Sequence, residues 1–114
     1  MPDFYLIGLS FIIMHEMDAI RCKEWRIFPG LSLLNDKLGY ILFIFLHIPL
    51  FYWIFIETQA DNKKFSVGFD YFLIVHMFLH IGFLMHKKNE FKDWISWAII
   101  IGASIFGLLD LLQV

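Results

Sequence analysis

Six side chains carry the chemistry that this sequence has to offer. His15, His47, His76 and His80 lie inside strongly apolar stretches, and Glu16 and Asp18 follow closely on the first of them. Imidazole and carboxylate groups bind transition metals, so the set predicts a site for zinc or iron. Magnesium and calcium favour all-oxygen shells instead. His76 and His80 are four residues apart and share one face of a helix. His15 and Asp18, three apart, share a face of another, with Glu16 about 100° away. The expected ligands are therefore His15, His47, His76 and His80, with Asp18 or Glu16 as a further ligand or as the carboxylate that orients one. Taken singly, each histidine is better read as a hydrogen-bonding contact between helices. Four at a similar depth argue for convergence, because a charge at the centre of a membrane span costs roughly 2.5–3.5 kcal/mol and needs a partner or a use.

The elements that must position these groups follow from composition. Of 114 residues, 60% are apolar and 19% aromatic, and the mean hydropathy is +0.69. A soluble domain of this length has too little interior to hide so much apolar surface, so the lipid bilayer is the expected partner. Apolar runs at about 4–20, 39–56, 67–85 and 94–112 predict four membrane-spanning helices in one domain, an all-α up-down bundle. At about 1.5 Å of rise per residue, His15, His47 and His80 fall within about 12 Å of one membrane boundary, with His76 a turn deeper.

Charge sets the orientation. Arg21, Lys23, Arg26, Lys37, Lys87, Lys88 and Lys92 lie on the side of the first and third connections, against Lys63 and Lys64 on the other. By the positive-inside rule the first and third loops are cytoplasmic and both termini lie outside the cytoplasm. The opening Met1-Pro2-Asp3 lacks a basic region, so the first span is expected to be retained rather than cleaved. The net charge of −2, without a basic stripe, excludes a nucleic-acid partner. Cys22 is the only cysteine, which excludes an internal disulfide or a multi-cysteine metal site.

Lesser features have quieter readings. Glu24 is expected to pair with a lysine or arginine in a cytoplasmic collar, with Trp25 at the interface. Pro49 is expected to free the carbonyl of Phe45 and bend the second span beside His47. Ala98 with Gly102, and Ala103 with Gly107, leave shallow faces for close helix packing. His86 reads as a boundary residue. Asp70 and Asp110 are placed near the outer surface, satisfied by capping or by water.

The run His15-Glu16-Met17-Asp18-Ala19-Ile20, followed by Lys23-Glu24-Trp25-Arg26, resembles the signature of a family of small, uncharacterised bacterial multi-pass membrane proteins. The resemblance extends to Leu46-His47-Ile48-Pro49-Leu50, to His76 with His80, and to Asn89-Glu90-Phe91 before Ser96-Trp97, so it covers nearly the whole chain. It implies a bacterial inner membrane and no established activity.

Three functions compete at this stage. The first is a metal-dependent hydrolase or oxidase whose lipid-soluble substrate enters between helices. The second is a b-type haem or quinone protein for electron transfer, with His47 and His76 or His80 as axial ligands. The third is a noncatalytic subunit of a homo-oligomer or larger membrane complex, in which the polar groups only lock helices together.

Overall fold

The computed structural model describes residues 3–113, and among these the chain is helical, without strands. Met1 and Pro2, two residues of the opening segment that lacks a basic region, lie outside the described residues, as does Val114. Helix α1 spans Asp3–Arg21, α2 Asp36–Gln59, α3 Lys63–Phe83 and α4 Trp94–Leu112. Short 3-10 turns at Glu24–Arg26 and Leu31–Leu33 link α1 to α2.

Local chemistry explains where the later helices begin. Asn35 accepts a hydrogen bond from the Leu38 N–H ahead of α2, Asn62 from Phe65 ahead of α3, and Asp93 from Ser96 ahead of α4. The Asn62 cap starts α3 at Lys63, earlier than the apolar run begins, so this helix carries Lys63 and Lys64 on its first turn. α1 instead has Asp3 in its first turn and Arg21 in its last, matching the helix dipole at both ends.

Helices α2, α3 and α4 are long and apolar enough to cross a membrane. α1 is of similar length, but Asp3, Glu16, Asp18 and Arg21 keep it out of that set. The chain runs up and down, and the contacts follow. Phe11 packs on α4 at Gly102, where an added Cβ would sit 2.4 Å from the ring, so only glycine allows the approach. Asp18 and Arg21 meet Ser96 and Asp93 at the other end of the same antiparallel pair. α3 packs on α4 through Leu73, whose side chain lies against Gly107.

α2 is different. It runs through Pro49 without a break, and most of its large side chains, including Phe45, Ile48 and Tyr52, face outward. It joins the other elements chiefly at the Glu24–Arg26 turn and through a few side chains along its length. The space left between α2 and α3 is a cavity of about 1000 Å³.

The interior has two apolar clusters. One gathers Tyr5, Leu9, Ile12, Ile54, Phe69, Leu73 and Ala103; the other gathers Ala19, Cys22, Trp25, Ile27, Phe43, Phe91 and Ile100. Beside the first cluster sits a small polar pocket. Thr58 donates to the Ile54 carbonyl, which leaves Tyr5 to donate its hydroxyl proton to Thr58, at 2.8 Å. Asp70 and Asp110 are 0% and 2% exposed and within hydrogen-bonding reach of one another. This corrects the expectation of two acids turned to water. Apart from Asp110, no described residue offers a donor to either oxygen of Asp70, so the two carboxyls depend on one proton held between them.

Replacing Asp110 by leucine strands the Asp70 carboxyl and should destabilise the protein by about 1–3 kcal/mol, whereas Asp110→Asn, which brings its own N–H donors, should cost less. Thermal unfolding of the two variants in the same detergent checks this; equal losses would refute the mutual pairing.

Candidate metal centre

Between the two apolar clusters lies a layer of buried imidazoles. His15 is 0% exposed, His80 1%, His76 8% and Glu24 8%. One ligand atom from each can be chosen so that all four lie within 4.8 Å of one another. The ring centroids of His15 and His76 are 4.4 Å apart, those of His76 and His80 4.5 Å, and those of His15 and His80 4.8 Å. Nε2 of His15 is 3.1 Å from Nε2 of His76 and 3.3 Å from a Glu24 oxygen.

The two shortest separations fit a shared proton or a metal. A tetrahedral ion with ligands at about 2.0–2.1 Å has donor-to-donor edges of about 3.3 Å. A hydrogen bond offers less, because Nε2 of His15 carries at most one proton and faces two groups that could accept it. Nδ1 of His15, His76 and His80 and an oxygen of Glu24 have no hydrogen-bond partner among the described residues. An unpaired buried polar atom costs about 1–3 kcal/mol; an ion on the Nε2 atoms would take up the Glu24 oxygen, which already faces His15 at 3.3 Å, and would leave the Nδ1 atoms as they are.

Each ligand has a reason for its place. His76 and His80 are one turn apart on the inner face of α3, and His15 reaches them from α1. Glu24 arrives by a different route. The chain leaves α1, turns through Lys23 at φ +52, and enters the 3-10 turn with Trp25 buried. Trp25 lies against α2 at Gly39, where an added Cβ would be 2.5 Å from the indole, and its Nε1 donates to Asp36. Arg26 also donates to Asp36. That bond holds its guanidinium above its ordinary pKa. The turn is thereby pinned, and Glu24 is held inward.

Phe91 closes the layer from the loop before α4. Its ring stacks on His15 at 5.4 Å and meets His80 edge-on at 4.6 Å. Asn89 accepts from its backbone N–H, and the Trp97 indole donates to its carbonyl.

The other predicted residues fall elsewhere. His47 pairs with Glu16, Nε2 to Oε2 at 2.5 Å, while its Nδ1 donates to the Phe43 carbonyl. With Nδ1 committed as donor, one proton must lie between Nε2 and the carboxylate, so the pair is an acid–base unit. It borders the cavity that His76, His80 and Glu24 also line. Asp18 turns to α4, accepting from Ser96 and from Arg21 at 2.8 Å. His86 is exposed and accepts from the Lys88 N–H.

Sequence reasoning missed Glu24 as a member of the cluster and assigned it to a basic partner. Its signal lay in Trp25: a large aromatic one residue on, at the end of a helix, anchors a turn that carries its neighbour inward. Cys22, buried beside Asp18 and Ser96, stays outside the cluster. Burial, only partly offset by the hydrogen bond with Ser96, pushes its thiol up to about 11.

The chain belongs to the family of unknown function DUF6713, which matches it over residues 1–114. No match was found among curated proteins or among solved structures.

Two outcomes are expected from this geometry. Gly39→Val forces Trp25 off α2 and should destabilise the protein by about 1–3 kcal/mol, with a changed Trp environment in near-ultraviolet circular dichroism. Alkylation of Cys22 by iodoacetamide should rise steadily between pH 7 and 10 without levelling; a midpoint near pH 8.5, with levelling toward pH 10, would mean an ordinary thiol.

Proposed function

We propose that this protein is a membrane metalloprotein in which His15, Glu24, His76 and His80 hold one zinc or iron ion near the cytoplasmic side, facing a cavity for a lipid-soluble substrate. The observation that carries this reading is the convergence of four buried ligand atoms within 4.8 Å. It is supported by membership of one wall of the cavity for His76, His80 and Glu24. The excess of lysine and arginine around the same end of the bundle supports the cytoplasmic placement.

A zinc or iron ion would supply Lewis acidity and, for iron, redox capacity. The chain supplies the rest. Phe91 excludes water from one side of the imidazoles. The Glu16–His47 unit, at the cavity wall, holds a proton at His47 Nε2 that can be given to or taken from a bound molecule. Haem fits these residues less well. Both ring nitrogens of His47 are already engaged, and the remaining histidines crowd one another.

Elemental analysis with an absorption spectrum on detergent-purified protein tests the reading. Close to one zinc or iron per chain is expected, falling at least tenfold in His80→Gln and in Glu24→Gln while circular dichroism stays helical. A folded parent without metal would overturn it, and a Soret band would replace it with the haem reading.

A further inference from the structure

Charge is divided unevenly between the two ends of the bundle. At the end nearest the histidine layer, Arg21 takes Asp18 and Asp93, and Arg26 takes Asp36 and Glu90. Lys37, Lys87, Lys88 and Lys92 are exposed at the same end and make no ion pair among the described residues. The Glu16–His47 pair is neutral with its one shared proton. Glu24 is the remaining acid, and a metal cation at the histidines would only add positive charge. Seven lysine and arginine side chains thus stand against five carboxylates, and the surplus is lysine. At the far end the balance is reversed, with Lys63 and Lys64 outnumbered by Asp3, Glu57 and Asp61.

These lysines have apolar neighbours that an aqueous loop would not expose. Helix α3 ends at Phe83 and α4 begins at Trp94. Both are long and apolar enough to cross a membrane, so residues 84–93 fall where hydrocarbon gives way to head groups. Met85 is 91% exposed, two residues before Lys87, and Trp94 is 78% exposed, two residues after Lys92. The connection between them is pinned from below. Asn89 and Phe91 are buried, Asn89 accepts from the Phe91 N–H, and the Trp97 indole donates to the Phe91 carbonyl. Lys88 and Lys92, on either side of that anchor, are left on the surface. A soluble polyanion would satisfy the ammonium groups and leave Met85 and Trp94 in water. A lipid with an anionic head satisfies both, because its phosphate and acyl chains follow one another in the same order across the interface.

We propose that the connection between α3 and α4 binds an anionic glycerophospholipid of the adjoining leaflet, with Lys87, Lys88 and Lys92 around its phosphate and Met85 and Trp94 against the upper part of its acyl chains. The inference goes beyond the metal-centre reading and does not rest on it, since the lysines, Met85 and Trp94 lie outside the histidine layer and need no ion there.

The full chain is reconstituted in phosphatidylcholine vesicles that carry a trace of spin-labelled phosphatidylglycerol or of spin-labelled phosphatidylcholine, the nitroxide low on one acyl chain. Electron paramagnetic resonance then reads the fraction of label immobilised by the protein. The parent should prefer phosphatidylglycerol by at least about threefold. The preference should fall to parity in the triple variant Lys87→Gln, Lys88→Gln, Lys92→Gln, and in about 1 M sodium chloride, where screening shortens to about 3 Å. It should survive in the corresponding triple arginine variant, which keeps the charge, and in Lys63→Gln, Lys64→Gln at the far end. Circular dichroism checks that each variant is folded. Equal immobilisation of the two lipids by the parent would overturn the proposal, and a preference retained by the folded glutamine variant would overturn its location. Inorganic phosphate that abolishes the preference where sodium chloride of equal ionic strength does not would mark a site for a free anion and overturn the lipid.

Discussion

Polar groups removed from water must find each other, and this molecule is organised by that requirement. Its apolar surfaces would let four greasy helices associate in many rotations about their axes, since lipid is as good a neighbour for leucine as another helix is. Buried imidazoles and carboxyls allow far fewer. His15 must meet His76 and His80, Glu16 must meet His47, Asp18 must meet Ser96, and Asp70 must meet Asp110. Each pairing fixes the rotation of one helix against another, and together they lock α1 against all three of its neighbours or their partners. The glycines follow from this. Gly102 lets Phe11 come close because α1 has already been drawn onto α4 by the polar contacts at its end.

The turn after α1 works as a lever within that frame. Trp25 is wedged against Gly39 and tied to Asp36, so the backbone beside it has little freedom, and Glu24 is carried under the histidines. A carboxyl that would otherwise meet a lysine in water is thereby committed to a dry layer. α2 contributes to the centre in two separate ways: through Gly39 as the seat of Trp25, and through His47 as the partner of Glu16. Neither role requires α2 to pack tightly along its length, which is consistent with the cavity that opens beside it.

Much of this was legible in the residues. Apolar runs located the helices, because in a bilayer backbone groups must be satisfied within the segment, and the four-residue spacing of His76 and His80 fixed their common face. Helix rotation was not legible. Whether His47 joins the other histidines or turns to Glu16 depends on how α2 is turned against α1, and local sequence has no term for that. The inward course of Glu24 escaped for a related reason: Lys23 adopts a left-handed backbone that reverses the chain, and nothing in Lys23-Glu24 announces it. Asp70 and Asp110 looked like surface acids because they lie toward helix ends, yet α3 and α4 meet there and enclose both. Asn35, Asn62 and Asp93, by contrast, mark their helix starts openly.

The loose seating of α2 sets how freely its sequence can drift. Its outward positions, such as Phe45, Ile48 and Tyr52, are exposed on the bundle surface, so one apolar side chain serves there as well as another. Gly39, Phe43 and His47, spaced by four, form a narrow stripe that answers to the indole, to the inner cluster and to a carboxyl. Substitutions accumulating over generations would scatter across the first set and spare the second, leaving in the helix that contributes least to the core a short, ordered record of what the molecule does.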